Sequence, residues 1–292
     1  MARGRFVSYQ PTQIRIMAGR ASRADVEGIR ADLAVLRPRF DALVTYGAGN
    51  GADLVADVAA ELGFRAVVLG VWSIDDPVEI DLALAAAARH PGLVVGVSLG
   101  NERVLAGEAD FPGLAARIDR LRSRAPQLLF TTTEPFHLFM QDPAGPLLKT
   151  ADFLLVNAHP VFQPWFAGAE VAAGARFVVN VVDDVAARFC GPVLVKETGV
   201  PTAPASMGFD VARQASFYAA LRAVFPSSRS RAFAYFSAFD AAWRVDDTHP
   251  TAGPQPQEGS WGLFEESRTP KPAARELPLL TQPQRVQDHR DR

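Results

Sequence analysis

Eight short runs of apolar residues, rich in β-branched and aromatic side chains, recur at fairly even intervals along the chain. They are RFVSY, ALVTY, RAVVLGVW, LVVGVSLG, LLFTTT, DFLLVN, PVLVKE and RAFAYF. Amphipathic stretches with apolar residues at helical spacing separate most of them, at 24–37, 52–63, 78–90, 114–125 and 210–225. Apolar strands that alternate with helices indicate a parallel sheet covered on both faces. Eight such units predict an α/β fold, the closed (β/α)₈ TIM barrel, with an open doubly wound sheet as the alternative.

The length of the chain, 292 residues, fits one such barrel, so we predict a single domain. The barrel is predicted to occupy residues 1–271, and a tail rich in proline and charge to occupy 272–292. The segment EPFHLFMQDPAGPLL after the fifth run contains too much proline and glycine for a good helix. We therefore expect the fifth unit to be irregular.

The composition narrows the range of partners. A hydrophobic content of 48% and a net charge of −2 fit a globular protein and give no electrostatic reason to expect nucleic acid. The lone Cys190 excludes an intrachain disulfide framework, and the five scattered histidines do not support a zinc site. We see no membrane span and no secretory signal, so the protein is expected to be cytoplasmic, or periplasmic or secreted if a leader was removed. A monomer is expected.

Polar and aromatic residues stand at the ends of the predicted strands, where barrel enzymes build their active sites. These residues are Tyr9, Tyr46, Trp72, Asn101, Glu102, Glu134, Asn157, His159, Glu197, Asp240 and Trp243. Ordinary turns would supply glycine, serine and aspartate there, and capping of the next helix would explain one glutamate. Glu102 and Glu134, however, precede loops rather than helix starts. We therefore interpret this end of the barrel as a functional site.

Glu102 and Glu197 each close an apolar run, and they come from distant strands. Paired carboxylates suit glycoside hydrolysis, because one must be protonated to donate to the leaving oxygen. The other must be ionised to attack carbon or to activate water. All four tryptophans also follow strand ends, where flat rings either stack on sugars or pack as core.

Two short motifs suggest other chemistry. GVSLG at 96–100 matches the nucleophile elbow of α/β-hydrolases, which would make Ser98 the nucleophile with Asp240 and His249 in the right order. An elbow needs a helix directly after the serine, and the helical pattern begins only well beyond it. GAGNGA at 47–52 fits a loose dinucleotide fingerprint, but the next strand ends without the acidic residue such sites use. A serine esterase stays an alternative, and no cofactor is expected.

A series of short motifs follows in a fixed order from Phe6 to about Lys271. They are VTYG at 44–47, LGVW at 69–72, GNE at 100–102, TTTEP at 131–135, VNAHP at 156–160, VKETGVPT at 195–202, YFSAFDAAWR at 235–244 and WGLF at 261–264. In order and spacing this series resembles glycoside hydrolase family 17, the β-1,3-glucanase and glucanosyltransferase family of the retaining (β/α)₈ clan.

The resemblance implies a retaining enzyme that hydrolyses or transglycosylates β-linked glucan, with β-1,3-glucan as the first expectation, and that needs no metal or cofactor. Glu102 would be the general acid/base and Glu197 the nucleophile. The predicted substrate-binding residues are Tyr9, Tyr46, Asn101, Glu134, Asn157, His159 and Trp243.

The chain departs from the family pattern at two positions that flank the nucleophile. Val44 stands where the family usually has arginine, and His159 stands where it often has tyrosine. Loss of the arginine removes one charge that would hold Glu197 ionised. Lys196 is adjacent in sequence, but strand alternation predicts it on the other face of the strand. A catalytically impaired glucan-binding barrel is therefore a further alternative.

Overall fold

A computed structural model describes residues 4–246 and 254–280, and its central feature is a closed barrel of parallel strands. The strands are β1 (Phe6–Ser8), β2 (Ala42–Val44), β3 (Ala66–Val71), β4 (Val94–Leu99), β5 in two pieces (Phe130–Thr131 and Thr133–Pro135), β6 (Leu154–Asn157), β7 (Val193–Glu197) and β8 (Arg231–Tyr235). Strand β1 pairs with both β2 and β8, and the two pieces of β5 pair with β4 and β6 respectively. This closure confirms the predicted barrel, and the open-sheet alternative is wrong.

Helices cover the outside of the barrel. They are α1 (Val26–Leu36), α2 (Val55–Glu61), α3 (Pro77–Arg89), α4 (Phe111–Arg124), α5 (Phe136–Phe139), α6 (Gly145–Thr150), α7 (Val171–Ala186), α8 (Val211–Val224) and α9 (Pro272–Arg275). Aspartates at 25, 76, 110 and 210 cap α1, α3, α4 and α8 by accepting a backbone N–H of the first turn. Only the short helices α5 and α6 follow β5, so the fifth unit is irregular as predicted.

Strand alternation divides the apolar residues into two cores. Phe6, Val44, Leu155 and Leu194 belong to a cluster separate from the main core, and they project into the barrel. Their outward neighbours along the strands join the main core beneath the helices. Towards the carboxyl ends of the strands the barrel interior becomes polar, which is where the functional residues were predicted.

The packed part of the chain extends past the predicted boundary at residue 271. Helix α9 contacts α8, and Ala274 and Leu277 are buried. The Leu280 N–H donates to the Pro38 carbonyl oxygen at 2.8 Å. The buried Ala274 and Leu277 show that this segment, although rich in proline and charge, contributes apolar side chains to the packing. The rest of the predicted tail, 281–292, lies outside the described residues. None of the helices described here is long and apolar enough to cross a membrane.

Candidate active site

A cleft of about 730 Å³ opens at the carboxyl ends of the barrel strands. Six of the nine predicted site residues line it, contributed by the ends of five different strands. They are Tyr9, Tyr46, Asn101, Glu102, Glu197 and Trp243. The cleft therefore brings together the two glutamates on which the sequence-based hypothesis depends.

Glu197 is the last residue of β7 and is buried at the floor of the cleft. Its Oε2 lies 3.3 Å from His159 Nε2, and its Oε1 lies 3.9 Å from Lys196 Nζ. Burial by itself would raise the pKa of Glu197. The hydrogen bond from His159 and the charges of Lys196 and Arg244 outweigh burial and hold that pKa below its usual range.

Glu102 lies in the loop after β4 with a φ of +57°, a left-handed conformation that is uncommon for a residue other than glycine. Its backbone N–H donates to the Thr133 carbonyl oxygen at 2.8 Å, which fixes this conformation. Asn157 Nδ2 donates to Glu102 Oε1 at 2.8 Å. Burial, together with the charge on Glu197, raises the pKa of Glu102 above its usual range.

The two carboxyl groups thus have opposite tendencies within one cleft. The environment of Glu197 favours the ionised form, while that of Glu102 favours the protonated form. When the environments of two carboxyl groups push their pKa values apart, one group is suited to act as the acid and the other as the nucleophile. The shifts suit Glu102 to the role of proton donor and Glu197 to that of nucleophile.

Lys196 also points into the barrel, so the prediction that it lies on the opposite face of the strand from Glu197 is wrong. The pairing of β7 with β6 shifts register between Val195 and Glu197, which marks a bulge. Lys196 keeps the inward direction of Leu194, and the bulge lets Glu197 reach the cleft as well. Lys196 Nζ donates to Asn101 Oδ1 at 2.7 Å.

Glu134 does not line the cleft, contrary to the predicted role in substrate binding. Its register partner on β6 is Val156, whose side chain belongs to the outer core, so Glu134 is directed away from the barrel interior. Its carboxylate accepts the backbone N–H groups of Val104 at 2.8 Å and Leu105 at 3.2 Å. Burial raises the pKa of Glu134 to about 7. The residue holds the loop that carries Glu102.

Asn157 and His159 lie behind the carboxylate pair rather than in the cleft wall. Asn157 binds Glu102, and His159 binds Glu197. The His159 ring is held edge-on against Trp261, with ring centroids 5.0 Å apart. Both residues therefore contact the glutamates instead of the space available to a ligand.

Tyr9 and the three remaining predicted residues differ in what they can offer a ligand. The Tyr9 hydroxyl donates to Asp32 Oδ2 at 2.8 Å, so only its ring faces the cleft. Asp32 also accepts from Arg268 Nε at 2.8 Å, which anchors this contact beneath the rim. Trp243, Tyr46 and Asn101 contribute side chains to the cleft wall itself.

Residues 7–262 match the family model described as the BtgE/BtgC glycoside hydrolase domain. The chain belongs to this glycoside hydrolase family. The predicted resemblance to family 17 is confirmed, and the protein is an enzyme of the glycoside hydrolase class.

Individual relatives agree with this membership. The chain is 25% identical over 265 residues to a glucan 1,3-beta-glucosidase of Arthroderma benhamiae, which covers 85% of this chain and 84% of that protein. It is 26% identical over 235 residues to a cell surface mannoprotein of Candida albicans, covering 77% of this chain but only 58% of that protein. A crystal structure of the glycoside hydrolase family 17 beta-1,3-glucanosyltransferase from Rhizomucor miehei has the same fold, with a TM-score of 0.67 and 22% identity over 92% of this chain and 95% of that chain.

Glu79 lines the cleft of this glycoside hydrolase, and the sequence did not indicate it. From α3 its carboxylate accepts the backbone N–H groups of Ala48 at 3.0 Å, Trp72 at 2.7 Å and Ser73 at 2.9 Å. It thereby joins the loops after β2 and β3 at the mouth of the cleft. A glutamate in the first turn of a helix is an ordinary partner of the helix dipole, so nothing in the local pattern distinguishes this one.

Arg244 and Glu258 also line the cleft and were not predicted. The Arg244 guanidinium stacks 5.6 Å from the centre of the Tyr46 ring and 5.5 Å from that of Trp243. Burial raises the pKa of Glu258. Both residues follow β8. Arg244 ends the motif YFSAFDAAWR, in which only the tryptophan was assigned a substrate-binding role, and Glu258 lies in none of the motifs.

The serine-esterase alternative is not favoured in this family. Ser98 lies within β4, buried, with its hydroxyl 3.1 Å from Thr133 Oγ1, and the strand continues past it without turning into a helix. Asp240 forms an ion pair of 2.7 Å with Lys271. His249, the third member of that hypothesis, lies outside the described residues.

Proposed function

We propose that this enzyme is a retaining glycosidase or transglycosylase acting on β-linked glucan, with β-1,3-glucan as its preferred substrate. The observation that carries the proposal is the carboxylate pair: one cleft holds two glutamates whose pKa values are shifted in opposite directions, that of Glu197 downward and that of Glu102 upward. The glucosidase and the glucanosyltransferase to which the chain is similar support the choice of β-1,3-glucan.

The reaction would proceed in two steps. In the first step a Glu197 oxygen attacks the anomeric carbon while Glu102 gives its proton to the departing glycosidic oxygen, leaving a covalent glycosyl-enzyme. In the second step Glu102, now ionised, takes a proton from the incoming hydroxyl group as that oxygen displaces Glu197 from the sugar. Water as the acceptor gives hydrolysis, and a sugar hydroxyl gives transfer.

The walls of the cleft suit a sugar chain. Trp72 and Phe162 line it and are exposed at 46% and 57%, so their flat faces are free to contact pyranose rings. Asn101 is held beside the carboxylate pair and is the proposed contact to the sugar 2-hydroxyl. Tyr46 and Trp243 are the proposed aromatic contacts.

Incubation with β-1,3-, β-1,2-, β-1,4- and β-1,6-linked gluco-oligosaccharides tests the proposal. We expect cleavage of the β-1,3 linkage, with products that initially carry the β-configuration in proton NMR. Longer products in the same mixtures would identify transfer, whereas exclusively shorter ones would identify hydrolysis. Initial α-products, or turnover of none of these substrates by folded protein, would contradict the proposal.

The pH profile gives a second test. The acid limb of kcat/KM should report ionisation of Glu197, and the alkaline limb should report loss of the proton from Glu102. Because the pKa of Glu197 is lowered and that of Glu102 is raised, the two limbs should be well separated. In Glu102→Ala the alkaline limb should disappear, and azide should restore turnover of substrates with good leaving groups.

The similarity to a cell surface protein supports a location outside the cytoplasm, on the side where glucan polymers occur. A monomer and a single catalytic domain remain predictions. The glucan-binding alternative predicts binding without turnover and insensitivity to Glu197→Gln. The intact carboxylate pair favours the enzyme.

A further inference from the structure

Lys196 is a buried cation that has been described so far only as one of the charges near Glu197. Its side chain is 1% exposed, yet it ends within the polar layer that holds both glutamates. Removal of an ammonium group from water costs several kcal/mol unless partners compensate. The partners of Lys196 therefore indicate what holds this charge in place.

Three groups surround the Lys196 ammonium. Nζ donates to Asn101 Oδ1 at 2.7 Å, lies 3.9 Å from Glu197 Oε1, and stands 4.1 Å from the centre of the Tyr46 ring. The contact with Glu197 is an ion pair rather than a short hydrogen bond. The contact with Asn101 fixes the orientation of the amide, because the oxygen is committed to Lys196 and the NH₂ group is left for other partners.

We propose that Lys196 is a positioning residue of this site: its charge keeps the Glu197 carboxylate ionised, and its hydrogen bond orients the Asn101 amide towards the substrate. The proposal rests on the proposed function of Glu197 as the nucleophile. It names a buried source of positive charge at a site where Val44 is part of the apolar interior cluster and carries none.

The remaining charges around Lys196 fit this role. Glu197, Glu102, Arg244 and Glu134 all act on it, from the end of β7, the loops after β4 and β8, and β5. His159 acts on Glu197 from the end of β6. Arg244 is partly exposed in the cleft wall, whereas Lys196 is enclosed, so solvent screens Lys196 the least. Burial lowers the pKa of Lys196 to about 8, which leaves it charged at neutral and acid pH.

The test is the pH dependence of kcat/KM for wild type and Lys196→Met on a 2,4-dinitrophenyl β-laminarioligosaccharide. This leaving group departs without a proton, so the acid limb reports Glu197 and Glu102 does not limit the step. Loss of a charge at ion-pair distance should move the acid limb upward by about 1 pH unit or more. The deficit in kcat/KM should be about tenfold or more at acid pH and should shrink as the pH rises.

Two further substitutions separate charge from packing. Lys196→Arg keeps the charge and should retain the acid limb of the wild type. Lys196→Gln removes the charge but can still donate to Asn101, so its acid limb should move as in Lys196→Met with a smaller deficit at neutral pH. Lys196→Gln, which also removes the charge, provides the test if Lys196→Met does not fold.

Lys271 supplies the matched control, because it is a second buried lysine in an ion pair, 2.7 Å from Asp240 Oδ1, and does not line the cleft. Lys271→Met should lower the melting temperature and leave the acid limb in place. A fall in kcat/KM of Lys196→Met by the same factor at every pH would overturn the proposal, as would an unmoved acid limb. Glu197→Gln, measured in parallel, separates failure of the proposed nucleophile from failure of the proposed role of Lys196. Full activity of Glu197→Gln rejects Glu197 as the nucleophile. Loss of activity in Glu197→Gln, together with an unmoved acid limb in Lys196→Met, rejects only the role of Lys196.

Discussion

The interior of the barrel has two layers of opposite character, built from the same strands. The lower layer contains the apolar cluster with Phe6, Val44 and Leu194, and the upper layer contains Lys196 and Glu197 together with other polar side chains. Two residues along a strand, about 7 Å, separate one layer from the other. Stability and chemistry are thus assigned to successive inward positions of each strand rather than to different parts of the molecule.

The difference teaches how the barrel tolerates a charged interior. The lower layer gains free energy from burial of apolar surface. The upper layer holds ionised groups that lose their free energy of hydration on burial. Their interactions with one another compensate for that loss only in part, as the ion pair and the hydrogen bond of Glu197 illustrate. Substitutions in the upper layer should therefore reduce activity more than stability, and those in the lower layer should do the reverse.

The largest effect on activity is expected for Glu197→Gln. Loss of the proposed nucleophile should lower kcat by about 10⁴-fold or more. The free energy of unfolding should not fall by a comparable amount, because the substitution removes a buried charge along with its partners. Steady-state kinetics and urea unfolding of the same preparation measure both quantities. A Glu197→Gln variant that loses stability but keeps its activity would contradict the distinction between the two layers.

The lower layer is tested by Leu155→Ala. Leu155 is fully buried in the interior cluster, so the cavity should lower the free energy of unfolding by about 2–5 kcal/mol. The folded fraction should keep its kcat/KM within a few-fold. Leu279→Ala is the matched control, since that leucine is 63% exposed and its truncation should change little. A large fall in kcat/KM for folded Leu155→Ala would show that the two layers are coupled.

A smaller loss is expected for His159→Phe. The ring keeps its packing against Trp261 but no longer donates to Glu197, so kcat/KM should fall by about 10- to 100-fold and the acid limb should move upward. His159→Tyr, which restores a donor of the kind frequent in the family, should lose less. Equal losses in both variants would show that the hydrogen bond is not what matters at this position.

The smallest effect is expected for Trp72→Ala, at the rim of the upper layer. Trp72 is 46% exposed in the cleft wall, and loss of one stacking contact should raise KM for long glucans a few-fold. Hydrolysis of a short aryl glycoside should hardly change. Comparison of KM for the two substrates is the measurement, and a fall in kcat for both would place Trp72 closer to the reacting sugar than the cleft geometry indicates.

The fold was predictable because its signals are local. Strand and helix periods, aspartate caps and the even spacing of eight runs all lie within short stretches of sequence. The same holds for the positions of Glu102 and Glu197, since residues at or just after the carboxyl end of a strand in a parallel barrel have one general location. The motif series identified the family for the same reason.

Pairing between strands distant in sequence decided the rest. The shift of register between β7 and β6 places Lys196 beside Glu197, and the pairing of Glu134 with Val156 directs that carboxylate away from the cleft. Glu79 reaches two loops that only the closed barrel brings together. The sequence by itself determined which strands carry a carboxylate at or just after their carboxyl end. The tertiary structure determined which neighbours surround each carboxylate, and those neighbours set whether it is ionised, because burial and nearby charge act through space rather than along the chain.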